Sequence, residues 1–161
     1  METTRKALIK GRLAKVRRDL DQILDKISPD MLAWAPAEGM RTVSGQLAEI
    51  IVCELPLVSR LKEGKDISDA EADEIIGDAH SLDNLRSKLI TVRQDTLDYL
   101  ESLSEAELAE EVAYGGAWFG SFWKPELPRA ELFLNISDHE YYHVGQLISY
   151  LWFRGDDPYK W

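Results

Sequence analysis

The sequence predicts an all-α protein, a four-helix bundle with long irregular connections. Four long segments carry apolar residues at three- and four-residue spacing, which is typical of helices with one buried face. Strand signals are lacking, and proline or glycine residues separate the helical segments. Long helices that follow one another in this way pack as a bundle. With 161 residues and no internal repeat or second core, residues 1–161 are predicted to form a single domain.

The first predicted helix runs from about Thr4 to Ile27 and has one apolar stripe. The stripe consists of Leu13, Val16, Leu20, Ile23, Leu24 and Ile27. Pro29, Pro36 and Gly39 then interrupt the helical pattern. Residues 28–41 are therefore predicted to be a connection.

The second predicted helix runs from Val43 to Glu63 and ends at Gly64, a residue suited to the left-handed conformation of a helix C-terminus. An acidic stretch follows over residues 66–78. It is either a loop or one short helix that starts after Ser68, with Glu71 three residues on completing a capping box.

The third long helix is predicted to start near Ser81 and shows the clearest periodicity. Its apolar face consists of Leu82, Leu85, Leu89, Val92, Thr96, Tyr99, Leu100 and Leu103. Ser104 and Glu107 predict another capped short helix. Residues 114–128 are rich in glycine and aromatic residues and are predicted to form a long irregular loop.

The last predicted helix spans roughly Arg129 to Arg154, stops at Gly155 and carries the strongest chemical signal. His139 and His143 are four residues apart, so both imidazoles lie on one face, one helical turn from each other. The apolar residues on the same stripe are Leu132, Ile136, Leu147 and Tyr150. Both histidines are therefore expected to face the interior.

Two imidazoles that face a core each need a polar partner, because burying an unpaired polar group costs about 1–3 kcal/mol. One shared metal ion would satisfy both. Hydrogen bonds to carboxylates, tyrosine hydroxyls or water are the alternative explanation, and the spacing alone does not decide between them.

A third metal ligand must come from another helix, because catalytic sites usually have three protein ligands and an open position. The remaining histidine, His80, precedes the third helix and is interpreted as a surface residue. Glu49 and Glu54 stand in an otherwise apolar part of the second helix. Helical phase slightly favours Glu54, although Pro56 can kink this helix and weaken the argument.

Two motifs resemble those of the DinB/YfiT-like family of metal-binding four-helix bundles, and the similarity covers nearly the whole chain. One is the connection LAWAPAEGMRTV before the second helix. The other is H-x-x-x-H-x-G-Q followed by Y-L and a glycine. This closing motif is matched by His139, His143, Gly145, Gln146, Tyr150, Leu151 and Gly155.

The resemblance implies that His139 and His143 are metal ligands. The family's third ligand, a histidine on the second helix, falls on Glu49 in this sequence. The implied site therefore contains two histidines and one carboxylate, a set that can bind Zn, Ni, Fe or Mn with open positions. Glu54 remains the less favoured third ligand.

The resemblance also implies an enzymatic function, because characterised relatives include thiol-dependent S-transferases and isomerases. We expect a metal-dependent enzyme that acts on a small-molecule substrate, with a low-molecular-weight thiol bound to the ion as thiolate. A hydrolase that uses a metal-bound water is one alternative. A non-catalytic, stress-related bundle with a structural or vestigial metal site is another.

Other residues near the predicted site have secondary roles. Tyr142 and Gln146 flank the histidines, and Gln146 is predicted to orient a ligand or water. Cys53 lies one turn from Glu49 and is interpreted as core packing rather than as a soft ligand or reactive thiol. Four aromatic residues of the long loop could wall a substrate pocket or cover the end of the bundle: Trp118, Phe119, Phe122 and Trp123.

The composition limits the expected partners and location. A formal net charge of -10 at pH 7 argues against nucleic acid, which requires clustered Lys and Arg. The single cysteine excludes an intramolecular disulfide and suits a reducing compartment. No leader segment and no membrane-spanning run is evident, so we expect a cytoplasmic protein that does not bind membranes. Aromatic-rich edges make homodimerisation plausible.

Overall fold

The structure is a computed structural model that describes residues 4–113 and 126–161. The helices are α1 (Arg5–Leu24), α2 (Val43–Glu63), α3 (Asp69–Ile76), α4 (Leu82–Ser102), α5 (Glu105–Ala109) and α6 (Arg129–Phe153). Two 3-10 turns cover Pro29–Met31 and Pro158–Lys160. The all-α prediction is confirmed, and the four long helices match the predicted segments to within a few residues.

Side-chain caps explain where several helices begin. Hydroxyl oxygens accept a backbone N–H from the first turn at Thr4, Thr42, Ser68, Ser81 and Ser104. Glu71 and Glu107 complete capping boxes, so both predicted short helices form as α3 and α5. Gly64, in the left-handed conformation with a φ of 67°, ends α2 as expected.

A short pair of strands brackets the predicted long loop, with one strand ending just before it and the other forming its last three residues. β1 (Glu111–Ala113) pairs antiparallel with β2 (Glu126–Pro128), with Val112 opposite Leu127. The prediction of irregular structure was therefore wrong for residues 126–128. Three residues per strand are too few to show an alternating sequence pattern. The four loop aromatics named above lie outside the described residues.

The long helices pack in a ring in which α1 contacts α6, α6 contacts α2, α2 contacts α4 and α4 contacts α1. The apolar stripe predicted for α1 is buried, and so are the apolar neighbours of His139 and His143 on α6. In the described part of the chain, no helix combines the length and the apolar character needed to cross a membrane.

A layer of charged side chains divides the apolar core into two clusters. One cluster includes Val16, Ile51, Leu89 and Val144, and the other includes Leu13, Leu57, Leu100 and Ile136. Between them lie one or two polar residues from each long helix, namely Arg17, Glu54, Arg93, Thr96 and Glu140. Four of these residues are almost fully buried, and Arg17 is the exception.

Candidate metal centre

The two histidines of α6 lie inside the bundle, as their position on the apolar stripe predicts. His139 is 5% exposed and His143 is fully buried. Their Nε2 atoms are 3.0 Å apart, and the rings meet edge to face with centroids separated by 4.5 Å. Two nitrogen ligands at about 2.0–2.1 Å from one tetrahedral ion would be roughly 3.3 Å apart. The observed separation is close to that value.

Hydrogen bonds from α2 and the preceding loop determine which nitrogen of His143 carries a proton. The Arg41 carbonyl can only accept a hydrogen bond, so the Tyr150 hydroxyl donates to it at 2.9 Å. The Tyr150 oxygen then accepts from the Gln46 amide nitrogen at 3.0 Å, which turns the Gln46 oxygen towards Nδ1 of His143. His143 Nδ1 must therefore donate. In the neutral ring, Nε2 has a lone pair directed towards His139.

Both imidazoles are held in the neutral form at physiological pH. Burial lowers the pKa of His139 to about 3, with further lowering from His143 and Arg41. Burial and Arg41 lower the pKa of His143 to about 4, and the nearby Gln146 amide opposes this fall. Neutral imidazole is the form that binds a metal ion, so no proton has to be removed from either ring at pH 7.

Two donor residues of α2 lie beside the histidines. Single ligand atoms of Glu49, Cys53 and His139 all lie within 4.8 Å of one another. His143 adjoins this group through its contact with His139. Arg41 pairs with Glu49 at 3.2 Å, and the two side chains are 56% and 26% exposed. The group is therefore reachable from solvent on the side of Glu49.

The sequence predicts core packing for Cys53, with metal binding as the alternative, and the structure places its thiol beside Glu49. The thiol is half-buried, and its Sγ lies 4.0 Å from Oε1 of Glu49. Burial and the Glu49 charge raise the pKa of Cys53 to about 12, so in the metal-free protein it is a neutral thiol and not a reactive thiolate. The available signal was the four-residue spacing of Glu49 and Cys53, which repeats the spacing of the two histidines.

Glu54, which helical phase slightly favoured as the third ligand, is buried in the charged layer. Its carboxylate accepts from Arg93 Nε at 2.8 Å and from the Thr96 hydroxyl at 2.6 Å. It does not belong to the group of donor atoms around His139. His80 is exposed, as expected, and its backbone N–H donates to Asp78.

A hollow of about 500 Å³ lies between α6 and the connection that precedes α2. Its lining includes Met40, Tyr142, Gln146, Tyr150 and Phe153. The Tyr142 ring meets the His143 ring edge to face, with centroids 5.2 Å apart. The side-chain oxygen of Gln146 is buried and makes no regular hydrogen bond within the described residues. Both residues predicted to flank the histidines therefore line this hollow.

Comparison with known families agrees with the fold. A family model described as the DinB superfamily matches residues 12–147, which is most of the chain. The chain belongs to the DinB superfamily. The match includes α2 and the part of α6 that contains both histidines, so the candidate centre lies within the DinB region.

One solved DinB-like structure has the same fold. The crystal structure of YjoA, a DinB-like protein from Bacillus subtilis, is similar with a TM-score of 0.67 and 22% sequence identity. The alignment covers 94% of each chain. No curated protein matches this chain. The similarity to YjoA supports the DinB-like helical fold.

The residues present in this DinB chain fit a divalent transition-metal ion. Imidazole nitrogens, a carboxylate and a thiol form a mixed donor set that suits borderline ions such as Zn²⁺ better than hard ions such as Mg²⁺. The neutral histidines are consistent with such an occupant.

Proposed function

We propose that this protein binds one divalent transition-metal ion between α2 and α6, through Glu49, His139 and His143, and acts on a small molecule as a thiol-dependent transferase. The single observation that carries the proposal is the pair of buried imidazoles with their Nε2 atoms 3.0 Å apart. Two such rings, neutral and directed at each other beside a carboxylate, form a set of ligands that needs little rearrangement to hold an ion.

The side chains around the histidines would orient them for this role. Gln46 accepts from His143 Nδ1 and thereby fixes the ring and its tautomer. Arg41, which pairs with Glu49, is largely exposed at the solvent side of the group. An ion held here would act as a Lewis acid that favours the thiolate form of a thiol at neutral pH.

The surroundings offer room for an organic substrate. The hollow beside Tyr142 and Gln146 has a volume within the range of about 300–1,000 Å³ that is common for small-molecule sites. Its walls contain apolar and aromatic side chains, among them Met40 and Phe153. These features support a small, partly apolar substrate that binds beside Tyr142 and Gln146.

The test is metal analysis of the untagged protein, followed by titration with Zn, Ni, Fe and Mn under reducing conditions. We expect about one ion per chain, and loss of binding in His139→Ala and in His143→Ala. His80→Ala is the matched control, because His80 is exposed and distant in sequence from the site. Metal content that is unchanged in both α6 variants would refute the proposal.

Activity is then tested on the loaded protein with electrophilic substrates in the presence and absence of low-molecular-weight thiols. Turnover that requires a thiol supports the transferase. Turnover of esters or amides without any thiol would instead indicate a hydrolase on the same ligands.

A further inference from the structure

The donor residues at the candidate centre form two pairs, one on each of two helices, and the residues of each pair are four positions apart. Glu49 and Cys53 are four residues apart on α2, and His139 and His143 are four residues apart on α6. Because residues four apart lie on one helical face, each helix presents a pair of donors to the other. The α2 and α6 helices pack against each other.

Cys53 belongs to this arrangement as closely as Glu49 does. Its Sγ lies 4.0 Å from Oε1 of Glu49, and both atoms lie within 4.8 Å of a ring nitrogen of His139. A cysteine that serves only as packing would be expected among apolar neighbours and fully buried. Cys53 is half-buried, and two metal-binding side chains adjoin it.

We propose that Cys53 is itself a ligand of the metal ion, so that Glu49, Cys53 and His139 form a mixed carboxylate, thiolate and imidazole site selective for thiophilic ions such as Zn²⁺. This inference rests on the proposed function, since it names a further ligand and the class of ion for the same centre. On binding, the Cys53 S–H bond breaks, sulfur keeps the electron pair and forms the metal–sulfur bond, and the proton is released to solvent.

The thiolate changes what the centre can bind. One carboxylate and one thiolate together neutralise a divalent ion, and a soft sulfur donor favours Zn²⁺, Co²⁺ or Cd²⁺ over Mn²⁺ and Mg²⁺. With His143 contributing as well, four protein donors are available. An external thiol would then have to displace a donor or enlarge the coordination shell, which limits how the transferase chemistry can proceed at this centre.

Cobalt spectroscopy tests the inference directly, because a thiolate bound to Co²⁺ produces an intense near-ultraviolet charge-transfer band that carboxylate and imidazole do not. We expect this band in the wild-type protein titrated with Co²⁺. It should be absent in Cys53→Ser and in Cys53→Ala, with weaker visible bands retained because Glu49 and the histidines remain. The affinity for Zn²⁺ should fall at least about tenfold in both variants, while that for Mn²⁺ changes little.

A second measurement uses the unmodified protein, in case the variants do not fold. Cys53 is the single cysteine of the chain, so alkylation by iodoacetamide adds one mass increment at a known position. The metal-free thiol reacts slowly, so the alkylation is followed over hours at alkaline pH. We expect Zn²⁺ to slow it at least about tenfold in the wild type, because the ion covers the sulfur.

The outcomes separate this inference from the proposed function. Binding of Co²⁺ without the near-ultraviolet band, together with alkylation unaffected by Zn²⁺, would overturn the role of Cys53 and leave the proposed metal site standing. Failure to bind Co²⁺ or Zn²⁺ at all would overturn both. A charge-transfer band that persists in Cys53→Ser would also refute the assignment, because no other thiol exists in the chain.

Discussion

Arg93 and Glu54 form a two-point ion pair in the middle of the bundle. The Nε and Nη2 atoms of Arg93 lie 2.8 Å and 3.0 Å from the two carboxylate oxygens of Glu54, and both side chains are buried. Arg93 also pairs with Glu140 of α6 and donates from Nη1 to the Leu13 carbonyl of α1 at 3.0 Å. This one residue of α4 therefore contacts each of the other three long helices.

We predict that Arg93→Met lowers the free energy of unfolding by about 3–5 kcal/mol, because it leaves two buried carboxylates short of a partner. Arg17, which contacts both carboxylates, limits the loss. The control is Arg86→Met on the same helix, where the pair with Asp25 is at the surface and should contribute less than about 1 kcal/mol. Urea denaturation measures both values, and equal losses in the two variants would contradict the prediction.

The two glutamates of α2 should have separable roles. Glu49→Ala is expected to reduce the affinity for Zn²⁺ at least about tenfold with little change in thermal stability, since Glu49 is partly exposed and its ion pair with Arg41 lies at the solvent side of the group. Glu54→Ala should do the reverse and destabilise the fold by about 3–5 kcal/mol. Calorimetric titration and thermal melting measure the two effects. Loss of metal binding in Glu54→Ala but not in Glu49→Ala would show that Glu54 is the third ligand.

We predict that Gln46→Leu weakens metal binding by about 10–100-fold, because His143 loses the acceptor that fixes its ring and tautomer. The Tyr150 hydroxyl would lose a donor in the same variant. Gln94→Leu is the control, since Gln94 is exposed on α4 and donates to Asp98. Competition with a chromophoric chelator gives the affinities. An unchanged affinity in Gln46→Leu would show that His143 needs no such support.

The metal-free protein should lose stability as the pH falls below neutral. The folded pKa values of His139 and His143, about 3 and about 4, lie below the ordinary value of 6.5, so the unfolded chain takes up protons first. The stability that neutral histidines contribute is complete above pH 6.5 and is lost as the pH falls towards 4. Between pH 7 and pH 5 we expect a loss of about 2–4 kcal/mol.

Denaturation with a chelator present, at several pH values, measures this loss. In His139→Gln the decrease between pH 7 and pH 5 should be about half as large. In His80→Gln it should equal that of the wild type, since His80 is exposed. A stability that stays constant over this range would show that the histidines become protonated without cost.

The residues of the candidate site differ in how well the sequence could predict them. The burial of His139 and His143 followed from their place on the apolar stripe of α6, and the structure confirms it. The role of Glu54 did not follow, because its partner Arg93 is distant in the chain and nothing in the local pattern links them. The sequence allowed Cys53 as a soft ligand but favoured core packing, because nothing in the local pattern shows that its thiol lies near His139.

Local information alone determined the helices of this protein. Apolar spacing, capping residues such as Ser68 and Ser104, and glycines such as Gly64 act within one or two turns, so they can be recognised in the sequence without any partner. The resemblance of the closing motif to that of DinB proteins also indicated the family to which the chain belongs.

The tertiary structure decided which side chains meet. Helical phase tells on which face of its helix a residue lies, but that face spans a wide angle. Only the packing of α2 against α6 and α4 shows which side chain of another helix lies opposite. This packing places Glu49 and Cys53 beside His139, and it places Glu54 beside Arg93. The physical reason is that a buried charge or donor is stabilised by contacts through space, and those contacts join segments far apart in the sequence.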